Sequence, residues 1–240
     1  MQGPYDPLKL AEITESIVCK GTSRKYTGFY CTGVYGGIST GYLVGCCLRC
    51  VFCWVELSRE YPERYGRFYT PQEVASELVK NARKRGVSKV RVSGGEPTIG
   101  KGHLLKLLDL VAPTGLLFIL ETNGLLLGHD PAYAQALSRY KNLYVRISLK
   151  AGTAQGFQTR TGAMAEFYEV PYKGIEHALR HGLYLRVACM SDPRLMPKQE
   201  RQEMIQRLAA IGYKGYLEEE LCDPYDTTLL RLGQAGLKIF

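Results

Sequence analysis

The chain has 240 residues, 45% of them apolar, enough for one sizeable core and a single domain with short appendages. No run approaches the ~18 apolar residues of a membrane span, and residues 1–6 lack a signal-peptide pattern, so a cytoplasmic protein without membrane contact is expected. The 31 basic residues exceed the 23 acidic ones by eight, yet they are dispersed: they read as a solvated basic surface that also permits an anionic partner such as RNA, a nucleotide or an acidic protein.

Residues 1–35 are rich in Tyr, Gly and Thr with irregular apolar spacing, and read as a short N-terminal extension packed on the core, with a hairpin near 28–35. A first strand over 36–44 feeds into a cysteine-rich loop. After a stretch broken by Pro62 and Gly66, a helix begins with Thr70 as N-cap, Pro71 at its first position and Glu73 completing a capping box. Val74, Leu78 and Ala82 give it one apolar face, and Gly86 ends it. The strand–helix unit then repeats. Strands are read at 89–93, 116–120, 143–149, 183–190 and 213–217. Helices are read at 103–111, 131–140, 166–180 (interrupted at Pro171) and 198–210. Six strands alternating with helices predict a parallel α/β sheet with crossover helices. Periodicity leaves open whether that sheet is flat or curved into a barrel.

Of eight cysteines, Cys46, Cys47, Cys50 and Cys53 share one loop, while Cys19, Cys31, Cys189 and Cys222 stand singly. A disulfide framework would be smaller and more evenly stapled, so a reducing compartment is expected. Cys46, Cys50 and Cys53 form C-x3-C-x2-C, three soft thiolates that can hold three corners of an iron–sulfur cluster and leave one iron open. Cys47-x2-Cys50-x2-Cys53 is an alternative register. A zinc site would need a fourth ligand, and beyond Cys47 none is nearby. The four single cysteines show no ligand spacing for a second cluster, and Cys189 and Cys222 read as buried apolar residues. His103, His129, His177 and His181 fall on helices or their flanks, where surface or helix-terminal roles are expected.

Cys46-x3-Cys50-x-Phe52-Cys53, with an aromatic before the last cysteine, resembles the signature of the radical S-adenosylmethionine (radical SAM) enzymes. Gly94-Gly95-Glu96-Pro97, at the end of the second strand, resembles that family's GGEP motif. The resemblance spans residues 36–217 and implies a partial (β/α)6 TIM-like barrel, with 218–240 as a C-terminal segment. It implies one 4Fe-4S cluster on Cys46, Cys50 and Cys53, with Cys47 a spectator beneath the loop, and S-adenosylmethionine (SAM) on the open iron. Glu96 and the Gly94–Pro97 backbone would hold the SAM amino group. Asn123, in a strand end like that of glycyl-radical activases, Ser148 and Lys150 would contact SAM, Lys150 through its carboxylate. Phe52 and Met190 would complete the cofactor pocket, Met190 beside adenine. Where the activases carry Asp-Leu-Lys, this chain has Ser148-Leu149-Lys150, which weakens an activase assignment. The implied activity is reductive cleavage of SAM to a 5′-deoxyadenosyl radical that takes hydrogen from a substrate, with a flavodoxin or ferredoxin as electron donor. A barrel with little capping material suits a macromolecular substrate, protein, peptide or RNA. A non-catalytic iron–sulfur protein is the rival from another class, and would need neither Gly94–Pro97 nor Lys150.

Overall fold

The alternation of strands and helices forms a single nine-stranded sheet in the computed structural model, which describes residues 3–240. Helix α1 (Pro7–Val18) opens the chain, its first turn capped by the Asp6 carboxylate, which accepts from the Leu8 and Lys9 amides. A hairpin of β1 (Cys19–Lys20) and β2 (Ser23–Thr32) follows, and β2 runs antiparallel to β3 (Ile38–Leu43). The short β4 (Arg67–Tyr69) joins the other side of β2 over Arg24 to Tyr26. The N-terminal stretch thus holds a helix that irregular apolar spacing concealed, and an antiparallel margin to the sheet.

From β3 onward the sheet is parallel. Its members are α2 (Pro71–Arg85), β5 (Lys89–Ser93), α3 (Lys101–Val111), β6 (Leu117–Thr122), α4 (Leu125–His129), α5 (Pro131–Leu137) and β7 (Leu143–Leu149). Then come α6 (Ala154–Thr161), α7 (Val170–Arg180), β8 (Leu185–Met190), α8 (Lys198–Ala210), β9 (Leu217–Glu220) and α9 (Asp226–Gln234). The parallel strands β3 and β5 to β9 lie side by side in chain order and do not close, so the barrel is partial. The capping box at Thr70 and Glu73 forms in full, and Gly86 takes the left-handed conformation that ends α2.

Several boundaries shift by a few residues from the sequence reading, and two places are informative. The helical region read at 166–180 divides beside Pro171: a 3-10 turn, Ala165–Glu169, leads into α7, whose first turn takes Pro171 where a missing N–H costs nothing. The last strand is the acidic run itself, Leu217–Glu220, rather than residues 213–217. Three consecutive carboxylates argue against a strand by propensity, but Arg146 and Arg201 pair with alternate members of the run from opposite faces.

Strand alternation sorts the side chains. Val90, Val92, Phe118, Leu120, Val145, Ile147, Val187 and Cys189 face the helices and share one apolar core with α2, α3 and α7. Their neighbours turn into the barrel. At its floor Ile38, Ile119 and Tyr144 form an apolar plug. Above it the lumen is charged: Arg91 pairs with Glu121 at 2.8 Å, and Arg146 with Glu218 at 2.6 Å and Glu220 at 2.9 Å.

Candidate active site

The loop from Gly45 to Trp54 leaves the carboxyl end of β3. Cys50 is buried, while Cys46 and Cys53 are half-buried. Cys50 belongs to the apolar cluster that also contains Phe52 and Met190, and Cys46 and Cys53 pack against it. The Cys46 sulfur accepts from the Leu48 amide at 3.4 Å. Hydrogen bonding from the neighbouring Cys47 thiol brings the Cys46 thiol down to about 7, against its burial, and the Cys47 thiol is raised in exchange. Burial pushes the Cys50 thiol up to about 12, with Lys150 opposing.

Cys47 is fully buried, and its sulfur accepts from the Asn123 amide at 3.3 Å. Among the described residues no three His, Cys, Asp or Glu side chains gather around a single-ion position. A cluster places no such demand, because each thiolate takes a different iron.

Backbone packing explains the glycines of Gly94-Gly95-Glu96-Pro97. A Cβ on Gly95 would lie 2.3 Å from the Gly45 carbonyl oxygen, and the Glu96 amide donates to that same oxygen at 2.9 Å. Only glycine lets this turn dock on the start of the cysteine loop. The Glu96 side chain also takes part in the packing of this turn. Buried at 3% exposure, its carboxylate accepts from the Thr98 amide and hydroxyl, the Thr122 hydroxyl and the Asn123 amide, at 3.1, 2.5, 2.6 and 2.9 Å. It welds the end of β5 to the end of β6. Asn123 is likewise engaged at both ends: its oxygen accepts from the Leu125 amide at 3.0 Å while its nitrogen reaches Cys47.

Across the lumen Ser148 donates to Glu220 at 3.1 Å, and the Lys150 ammonium donates to Ser148 at 2.7 Å. Burial would raise the Glu220 carboxyl, but Lys150 and Arg146 outweigh it and hold it below its ordinary range. One of the three ammonium donors of Lys150 is taken by Ser148, leaving capacity for an anionic group.

Several contributors escaped the sequence reading. Each of the three motif cysteines has its backbone carbonyl held by a different arginine: Arg49 on Cys46 at 2.7 Å, Arg59 on Cys50 at 2.7 Å, and Arg231 on Cys53. Arg59 and Arg231 also pair with Glu60, which draws α9 against the loop. Arg231 lies far along the chain and no local pattern marks it. Tyr35 is the other omission. It is the one non-glycine residue with positive φ among those described, at 56°, and its hydroxyl donates to Glu121 at 2.5 Å.

His103 corrects an expectation. It is 4% exposed rather than at the surface, its ring nitrogens bonded to the Tyr26 hydroxyl and the Thr22 carbonyl, and burial lowers it to about 4. Cys189 and Cys222 are buried as expected.

A partial parallel barrel with a three-thiol loop at the carboxyl ends of its strands is the architecture of a cluster-bearing enzyme. Residues 42–211 match the profile of the Radical SAM superfamily, and the chain belongs to that superfamily. It is therefore an enzyme whose cofactors are a 4Fe-4S cluster and SAM. The GTP 3′,8-cyclase of Pelotomaculum thermopropionicum is 36% identical over 143 residues, which cover 58% of this chain and 41% of that enzyme. This chain thus spans about two-fifths of the length of such relatives. Among solved structures, Streptococcus suis SuiB bound to its precursor peptide SuiA superposes with a TM-score of 0.60 at 16% identity, over 76% of this chain and 39% of SuiB. TYW1 with a lysine–pyruvate adduct gives 0.53 at 14% identity, over 82% of this chain and 72% of TYW1. These two likenesses establish the fold. No helix of the described residues is long and apolar enough to cross a membrane.

Proposed function

We propose that this chain generates a 5′-deoxyadenosyl radical from SAM and uses it to take hydrogen from a macromolecular substrate. The observation that carries the reading is the convergence of Cys46, Cys50, Cys53, Phe52 and Met190 in one cluster at the carboxyl ends of the strands. The donor set fits an iron–sulfur cluster: three thiols on one loop, with cationic arginines on the carbonyls of all three cysteines to offset the charge of a thiolate-bound cluster. Cluster and SAM together supply the radical chemistry, and the residues supply placement and shielding.

In this reading Cys46, Cys50 and Cys53 hold the cluster, and Lys150 takes the SAM carboxylate with Ser148 orienting its ammonium. Because the Glu96 carboxylate is engaged by four donors, the SAM amino group falls to backbone carbonyls at Gly94 and Gly95, and Glu96 acts by fixing that turn. Phe52 and Met190 form the apolar wall for adenine. Asn123 supports the loop through Cys47. Because this chain spans only about two-fifths of the GTP 3′,8-cyclases, the substrate is read from this chain's own lumen and edge. Enzymes of this superfamily need a reductant, which we assign to a flavodoxin or ferredoxin. The test is anaerobic reconstitution, then SAM and dithionite, with 5′-deoxyadenosine as the measured product. Product no higher than that of a Cys50→Ala control would overturn the reading.

A further inference from the structure

The two margins of the sheet are built differently. Strand β9 is four residues long and carries Glu218, Glu219 and Glu220, charges of the kind that protect an edge from pairing. Strand β2 is ten residues long, and β4 covers it only over Arg24 to Tyr26. Over residues 27–32, Thr-Gly-Phe-Tyr-Cys-Thr, β3 pairs on one side and, among the described residues, no strand pairs on the other. This stretch has no charge, no proline and two aromatics, so it lacks the usual defences of an edge and favours pairing. Helix α2 touches this stretch at Asn81, whose side-chain amide donates to the Phe29 carbonyl at 3.5 Å, at the limit of a hydrogen bond, and whose backbone carbonyl accepts from the Cys31 thiol at 3.4 Å.

A cavity of about 210 Å³ opens beside this edge, lined by Tyr30, Tyr42, Trp54, Tyr65, Glu56 and Gly94 among others. Tyr30 stacks on Tyr42 with centroids 4.4 Å apart, and Tyr42 meets Trp54 edge to face at 6.3 Å. The ladder of rings therefore runs from the unpaired edge to the residue after Cys53. Tyr30 and Trp54 are 54% and 45% exposed, unusual for large rings with no structural task. No Lys or Arg lines the cavity, although the chain carries eight more basic than acidic residues. Aromatic faces with one carboxylate attract a cation.

We propose that residues 27–32 of β2 receive an extended polypeptide as an added strand, which delivers a Lys or Arg side chain to the aromatic cavity beside the cluster loop. The proposal rests on the macromolecular reading above and narrows its substrate class to polypeptide. Main-chain pairing supplies affinity that is indifferent to sequence, and the cavity supplies the selection, as in other strand-addition sites.

The test measures anisotropy of fluorescein-labelled peptides on the reconstituted protein under anaerobic conditions. The probes are short Thr/Val peptides with Arg, Lys, Leu or Glu at the centre. Arg and Lys peptides are expected to bind roughly tenfold more tightly than Leu or Glu ones. Glu56→Lys, a change at an exposed side chain, should abolish that preference. N-methylation distinguishes strand pairing from side-chain docking without altering the protein. Methylating one alternate set of peptide amides should eliminate binding, and methylating the other set should not.

Amides within residues 27–32 should also gain protection from hydrogen exchange when peptide is present. Equal effects of the two methylation patterns, or binding of free alkylguanidine as tight as that of the Arg peptide, would overturn the role of the edge. Tighter binding of a short RNA than of any peptide would overturn the substrate class. Deoxyadenosine formation reports separately on the radical reading: a protein that cleaves SAM but ignores every peptide sinks this proposal alone, and one that binds peptide but never cleaves SAM sinks the other.

Discussion

Replacing Glu96 separates a structural carboxylate from a ligand-binding one. In the folded chain its two oxygens take four donors, of which the amides of Thr98 and Asn123 are backbone groups that cannot turn elsewhere. The hydroxyls of Thr98 and Thr122 can rotate toward other acceptors. Glu96→Ala therefore strands two buried N–H groups, and at about 1–3 kcal/mol for each, with part of the hydroxyl bonding lost as well, the expected destabilisation is roughly 3–5 kcal/mol. That is a large part of the ~5–15 kcal/mol that holds a typical domain together. Glu96→Gln keeps the volume but turns an amide NH2 toward donors, and should lose roughly 2 kcal/mol. Both are measured by denaturant unfolding of the cluster-free chain under reducing, anaerobic conditions. A loss below about 1 kcal/mol in Glu96→Ala, together with a collapse of SAM affinity in the reconstituted enzyme, would refute the reasoning and return the carboxylate to the ligand.

Cys47→Ala should reconstitute with the same iron and sulfide content as the parent protein, because Cys47 is tied to Asn123 beneath the loop; loss of the cluster would mean the other register is used. Arg231→Met removes the link from α9 to the Cys53 carbonyl and to Glu60, and should cost roughly 3 kcal/mol in unfolding experiments while broadening the electron paramagnetic resonance signal of the reduced cluster. An unchanged signal and stability would show that α9 does not hold the loop. For His103 the linkage runs toward acid. Unfolded histidine titrates near 6.5 and the buried ring near 4, so stability is complete above about 6.5 and falls as pH drops to about 4. The loss is roughly 3 kcal/mol over that window, and His103→Gln should flatten it in pH-dependent unfolding.

The parallel strands and their helices were legible because each carries a local signal: alternation in 89–93, the capping box at Thr70 and Glu73, and glycine at the end of α2. The cysteine loop was legible through spacing alone. What escaped depends on contacts between distant segments. Nothing near Arg231 announces that it will reach Cys53, and nothing near Glu96 says whether its carboxylate meets a ligand or the end of β6. Strand Leu217–Glu220 was misplaced because its acidic residues look like a solvated loop until Arg146, which lies on another strand, is brought opposite them. His103 was misjudged because its partner Tyr26 comes from the hairpin that irregular spacing hid. One signal was available: Arg91 lies between Val90 and Val92, and Arg146 between Val145 and Ile147, which marks a second strand face able to hold charge.

That inward polarity and the open sheet together determine how a substrate can approach the cluster loop. On the β9 side, α9 lies against the loop: Arg231 holds the Cys53 carbonyl, and Thr227 donates to the Trp54 carbonyl at 2.7 Å. At the floor, the plug of Ile38, Ile119 and Tyr144 closes the lumen, and the paired charges of Arg91, Glu121, Arg146 and Glu218 fill the space above it. A cavity lies on the side bounded by β2, Tyr42 and Trp54. A small polar substrate would have reason to enter the charged lumen, but there the arginines and carboxylates already satisfy one another. In the strand-addition proposal, a chain lying along residues 27–32 of β2 would displace only the long Asn81 contact to the Phe29 carbonyl, and one side chain would reach past Trp54. In that proposal the placement of α9, far from the motif in sequence, leaves the uncharged stretch of β2 as the route of access.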